Sequence, residues 1–171
     1  MAEDAAHKII KNFTKKNRVG AKTEPSKFIV IHSTGNTASA RNENLNTVNN
    51  DHKGVGAHYS VDGVSIYQSL ADGDIIYHCG TGGYYKQKHP VCRNRNSIGV
   101  EMCQEDMHGR ISEKTIQNTA WLVKKLMKDH AIPRENVIRH YDVVSKECPV
   151  AYAGTREKDE KWKQLKKKLV G

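Results

Sequence analysis

Lys27-Phe28-Ile29-Val30-Ile31-His32 is a short apolar run between polar flanks, rich in β-branched side chains. It reads as a buried strand that ends on a histidine. A second strand follows at Ser97 to Gln104, where Ile98, Val100 and Met102 alternate with Gly99, Glu101 and Cys103. That period of two sends the two sets to opposite faces. Ala57–Val61 and Val64–Gln68 flank Asp62-Gly63, a hairpin-turn dipeptide. Asp74–Tyr77 and Val137–His140 read as further strands.

Helical signals lie between the strands. Ser112 is a suitable N-cap before Ile116, Ala120, Val123, Leu126 and Met127, and this helix should stop near His130, ahead of Ile132-Pro133. Asp159 to Leu169 forms a terminal amphipathic helix with Trp162, Leu165 and Leu169 inward. Residues 38 to 52 suggest a helix through Leu45 and Val48. Ile9, Ile10 and Phe13 can pack as one short helix, with Val19-Gly20 and Glu24-Pro25 as loop. Gly80 to Asn96 is mostly loop, and loops of that length are commonly functional or mobile. The expectation is one α/β domain. Its basic N-terminal segment, residues 1–26, belongs to the same unit as residues 27–171.

The chain has 171 residues, enough for one domain with a hydrophobic core. No stretch reaches the roughly 20 apolar residues of a membrane helix. The first residues, Met1-Ala2-Glu3-Asp4-Ala5-Ala6-His7-Lys8, show no basic-then-apolar secretory leader. The protein is therefore expected to be made in the cytoplasm and to leave, if it leaves, by a route that reads no such signal. Net charge is +9, from 28 Lys and Arg against 19 Asp and Glu. This field favours polyanions such as nucleic acid, anionic lipid or anionic wall polymers, and equally describes a solvated basic surface. No recognition helix, finger spacing or aromatic strand supports nucleic-acid binding. Cys79, Cys92, Cys103 and Cys148 match no zinc-finger spacing, and the first three read as free thiols.

His32 ends a buried strand, where α/β sheets place site residues. His140 and Cys148 share the segment Arg139-His140-Tyr141-Asp142-Val143-Val144-Ser145-Lys146-Glu147-Cys148-Pro149. Two imidazoles and a thiolate suffice to hold a catalytic zinc with one open position. Only a fold that brings Ile31-His32 beside Arg139-His140 would make them a site. Glu101 is a carboxylate on a strand, costly if buried without a role and unremarkable on an exposed face. Near a metal it can take a proton from the attacking water. Lys146 can stabilise an oxyanion if Cys148 is a ligand; taken alone it is a surface lysine.

The segments Lys27–Thr34, Gly56–Gln68 (G-A-H-Y-S-V-D-G-V-S-I-Y-Q), Asn96–Met102 and Arg139–Pro149 resemble the zinc-dependent N-acetylmuramoyl-L-alanine amidases of phage endolysins and bacterial autolysins. T7 lysozyme and the peptidoglycan-recognition proteins share that fold. The resemblance spans about residues 27 to 150, in the family's order. It implies a central mixed β-sheet flanked by helices, with zinc at the floor of a substrate groove. His32, His140 and Cys148 would be the zinc ligands, Glu101 the catalytic carboxylate and Lys146 the transition-state lysine. The implied reaction is hydrolysis of the amide between N-acetylmuramic acid and L-alanine in bacterial peptidoglycan, by a phage or prophage endolysin released through a holin-type pore. A non-catalytic peptidoglycan-binding module is the alternative, although such relatives commonly lack the cysteine.

The T7-like branch carries a tyrosine where this chain has Ala57. Tyr59 lies two positions on, which keeps the same face on a strand, but the tyrosine's role does not transfer to it. His78, in Tyr77-His78-Cys79-Gly80, matches a segment that borders the groove in relatives and is a candidate substrate contact. Thr34 and Asn96 are candidates to line the cleft. His58 reads as a strand-face residue supporting the core.

Overall fold

A computed structural model describes residues 7–171. Six strands form one mixed sheet in the order β1-β5-β4-β7-β3-β8. They are β1 (Ile9–Lys11), β3 (Phe28–Ser33), β4 (Tyr59–Val61), β5 (Ile66–Gln68), β7 (Ser97–Met102) and β8 (Val137–Arg139). Only β4 and β5 run antiparallel within this sheet; β1 on β5, β4 on β7, and β7 and β8 on β3 are parallel. A separate antiparallel pair joins β2 (Gly20–Ala21) to β6 (Asp74–Ile75). The helices are α1 (Ala40–Asn49), α2 (Glu113–His130), the single turn α3 (His140–Val143) and α4 (Arg156–Val170).

Strand alternation divides the interior. Ile29 and Ile31 of β3, with Ile98, Val100 and Met102 of β7, pack toward Leu122, Val123 and Leu126 of α2 and Trp162, Leu165 and Leu169 of α4. Phe28 and Val30 face the other way, into a smaller cluster with Cys79, Cys92, Ile138, Val143 and Val144. His32 continues that second face, because it stands two and four residues beyond Val30 and Phe28. In the β3–β7 register His32 lies opposite Glu101. In the β4–β7 register Ser60 does the same. The larger core therefore holds the sheet from one side and leaves the other for polar groups at the C-terminal ends of β3, β7 and β8.

Several local expectations change. Ile9 and Ile10 extend into β1, paired with Ile66 and Tyr67, and do not form a helix. Val19-Gly20 lies at a strand rather than in loop, with Val19 N–H donating to Ile75 C=O and Gly20 opposite Ile75. Residues 1–6 of the basic N-terminal segment fall outside the described residues. Helix α1 buries Ala40, Asn44 and Thr47 rather than Leu45 and Val48. Asn44 Nδ2 donates to Asn12 C=O and Ser69 Oγ, so a hydrogen-bonded seam replaces an apolar one. His140 opens α3 instead of closing β8. The Arg139 N–H donates to the Asp142 carboxylate, and this capping contact turns the chain at the strand's last residue.

Candidate metal centre and active site

Three elements deliver the candidate ligands. His32 projects from the end of β3, His140 from the first residue of α3, and Cys148 from the loop after α3. That loop is folded back on itself: Tyr141 N–H donates to Cys148 C=O, and Cys148 N–H donates to Lys146 C=O. Arg139 anchors its base, donating to Asp142, Asp159 and the Tyr152 carbonyl from a buried position. The long loop 80–96 braces it from outside, with Ser145 N–H donating to Lys86 C=O and Lys86 N–H to Ser145 Oγ.

One ligand atom from each of His32, His140 and Cys148 falls within 4.8 Å of the others, and all three residues are buried. Among the described residues both His140 ring nitrogens lack a hydrogen-bond partner, which is costly for buried polar atoms. Burial first, then the nearby His140, His78 and Lys146, hold His32 well below the usual histidine range. Burial, followed by Lys146 and His78, lowers His140 to about 3. Both rings are thus neutral, the form that ligates metal. Burial and then Glu101 push the Cys148 thiol up to about 12. A dication among these donors supplies the missing countercharge and favours the thiolate. The set therefore fits a metal ion by donor type, spacing and unpaired nitrogens.

These residues form the floor of a cavity of about 180 Å³ that Glu101, Lys146, Thr34, Glu43, Thr47 and Ala57 also line. A neighbouring hollow of about 470 Å³ shares Val55, Tyr77, His78, His140 and Lys146 with it, giving one groove beside the three candidate ligands. Tyr77 and Tyr85 line that groove and are partly exposed. Glu101 Oε2 is sealed from solvent without a hydrogen-bond partner. Burial, reinforced by Glu43 and opposed by Lys146, raises its carboxyl to about 8. Lys146 is exposed on the groove wall, with Nζ 5.9 Å from the Tyr85 ring.

The Glu101 shift has a consequence for stability. Its native value lies above the unfolded value near 4.3. Between about pH 4.5 and 8 the native state thus binds more protons than the unfolded chain, and stability falls as pH rises. In metal-free protein, Glu101→Gln should raise Tm by about 3–10 °C at pH 9 and leave it nearly unchanged at pH 4. Thermal melts in chelator at the two pH values check this; a pH-independent difference would contradict it.

A family model described as N-acetylmuramoyl-L-alanine amidase matches residues 22–151, which includes all three candidate ligands, Glu101 and Lys146. The chain belongs to the N-acetylmuramoyl-L-alanine amidase family. It is 37% identical over 154 residues to a probable N-acetylmuramoyl-L-alanine amidase of Bacillus licheniformis, covering 85% of this chain and 43% of that protein. It is 36% identical to the N-acetylmuramoyl-L-alanine amidase CwlH of Bacillus subtilis, covering 78% of this chain and 50% of the relative. The chain thus spans about half the length of the curated relatives it matches. Among solved structures, a mutant endolysin from Bacillus subtilis superposes with a TM-score of 0.75 at 32% identity, covering 95% of this chain and 99% of that one. The catalytic domain of XlyA gives 0.75 at 29% identity, again over 95% and 99%. These neighbours share the single α/β domain with its mixed sheet and flanking helices.

Within this amidase-family fold the remaining candidates separate. Thr34 lines the cavity, with Oγ1 donating to Asn36 C=O. Asn96 does not. It precedes β7, at the opposite end from Glu101, where its side chain accepts from Arg93 N–H and donates to Val91 C=O. His78 borders the groove and has both ring nitrogens engaged, with His32 and Ser97. Tyr59 is not on the face of Ala57. Ala57 lines the cavity before β4 begins, whereas Tyr59 is buried in the larger core with its hydroxyl donating to Asp72. His58 is fully buried and supports the sheet. Glu43 and Thr47, one turn apart on α1, reach the cavity as well. The polar inner face of α1 was the available signal for them.

Proposed function

We propose that this chain hydrolyses the amide between the N-acetylmuramic acid lactyl group and L-alanine in bacterial peptidoglycan, with one zinc held by His32, His140 and Cys148. The observation that carries the reading is the convergence of these three buried donors beside Glu101, directly across the sheet register from His32. Zinc there supplies Lewis acidity to the scissile carbonyl and to the attacking water.

The chain's own residues do the rest. Glu101 accepts the proton of the attacking water and returns it to the leaving amine. A carboxyl already raised toward neutrality by burial suits both transfers. Lys146, on the wall shared by both parts of the groove, places an ammonium toward the oxyanion of the tetrahedral species. Lys146→Ala should lower turnover about 100- to 1000-fold while zinc content stays at one per chain. Wild-type turnover in that variant would remove Lys146 from the mechanism. The simultaneous presence of Cys148, Glu101 and Lys146 favours catalysis over a binding-only module.

The solved relative described as an endolysin supports a lytic role at the cell wall. A net charge of +9 favours approach to anionic wall polymers. None of the described helices is long and apolar enough to cross a membrane. Product analysis tests the reaction: digestion of purified peptidoglycan should release new L-alanine amino groups without new reducing sugar. Reducing sugar in their place would make the protein a glycosidase.

A further inference from the structure

We infer that His78 and Ser97 are positioning residues that fix the tautomer of His32, leaving its Nδ1 as the metal-donor atom. The inference rests on the metal reading above and extends it to residues that touch neither metal nor substrate. The order of the hydrogen bonds is set at the far end of a short chain. Ser97 Oγ lies 2.7 Å from the Arg93 carbonyl, which can only accept, so the hydroxyl proton points there. The serine oxygen then accepts from His78 Nε2 at 3.0 Å. A neutral imidazole has one donor and one acceptor nitrogen. His78 Nδ1 is therefore bare and accepts from His32 Nε2–H at 3.1 Å. His32 Nδ1 is left with a lone pair, 3.8 Å from Cys148 Sγ. The reverse order, with serine donating to His78, would put a proton on His32 Nδ1 and block the nitrogen that faces the other ligands.

The packing around His78 is built for this geometry. A Cβ at Gly99 would sit 2.7 Å from the His78 Cγ and Nδ1, so only glycine at that point of β7 admits the ring. Asn94 Oδ1 accepts from the backbone N–H groups of His78 and Cys79, fixing the segment that carries it. His58, edge-on to His78 with ring centroids 5.6 Å apart, does not compete. Its Nδ1 accepts from Gly99 N–H and its Nε2 donates to Asp74 C=O. Ligating histidines commonly donate their second N–H to an oriented partner, and losing that partner weakens metal binding about 10- to 100-fold. In this chain the partner is a second imidazole, itself oriented by a serine.

The test has two readouts apart from activity. In metal-free wild type at pH 7, nitrogen-15 chemical shifts and couplings of the histidine rings should show His32 protonated on Nε2 and His78 on Nε2. Zinc dissociation constants, from competition with a chromophoric chelator, should rise about 10- to 100-fold in Ser97→Ala and in His78→Ala. A proton on His32 Nδ1 in the wild type overturns the inference even if neither variant folds. So do zinc affinities within twofold of wild type in both folded variants. If the wild type binds no zinc, the metal reading fails and the inference falls with it; if zinc binds and His32 carries its proton on Nδ1, the inference alone fails.

Discussion

Cys148→Ala should yield a folded protein that loses zinc on dialysis and digests peptidoglycan at least about a thousandfold more slowly. Among the described residues the Cys148 Sγ makes two long polar contacts, 3.8 Å to His32 Nδ1 and 3.9 Å to the Ser33 carbonyl. Its loss removes little from the fold. It would remove the sole anionic donor of the three, and with it the countercharge that would hold a dication between two neutral imidazoles. A catalytic metal contributes several kcal/mol of transition-state charge stabilisation. At about 1.4 kcal/mol per decade, losing it costs three powers of ten or more. Metal analysis, circular dichroism and turnover on one preparation check the three parts together. Full activity with stoichiometric zinc would show that Cys148 is no ligand.

Glu101→Gln should have the second-largest effect, a loss of about 10²- to 10⁴-fold in turnover with zinc retained. The amide keeps the shape of the carboxyl and cannot accept the water's proton. Ala57 stands where the T7-like branch has its tyrosine, and Tyr59 is turned into the core on the opposite face. Neither Ala57 nor Tyr59 thus supplies the hydroxyl that the T7-like tyrosine would place there to share the work of Glu101. The same substitution should stabilise the metal-free protein at alkaline pH, because it removes a carboxylate whose Oε2 is buried without a hydrogen-bond partner among the described residues. Opposite signs in turnover and stability distinguish a proton acceptor from a residue that merely supports the fold. A variant that kept wild-type turnover would exclude Glu101 as the acceptor.

The central elements were legible because pattern and environment agree. β3 is apolar from Phe28 to Ile31 and buried throughout. The alternation of β7 correctly set Glu101 opposite Ile98, Val100 and Met102. Ser112 caps α2 as its residue type requires, accepting from Thr115 N–H. Elements whose identity depends on a distant partner were not legible. Ile9 and Ile10 become a strand only because β5 offers an edge, and β2 exists only through β6. His140 turns from strand end to helix start through the capping contact of Arg139 N–H with Asp142. At the site, residue chemistry pointed to the candidate donors, which the fold brings together, and family resemblance supplied the roles expected of them. Neither showed that His78 is engaged on both nitrogens, because that depends on Ser97 and Gly99 projecting from the same face of β7. Asn96 was misplaced because adjacency to that strand does not say which end of it faces the groove.

Metal titration tests the central claim most directly. Protein stripped with a chelator should lose peptidoglycan hydrolysis, and activity should return linearly with added zinc and level off at one equivalent per chain, with new L-alanine amino groups appearing in step. Metal-free protein that digests the wall at the full rate would contradict the account.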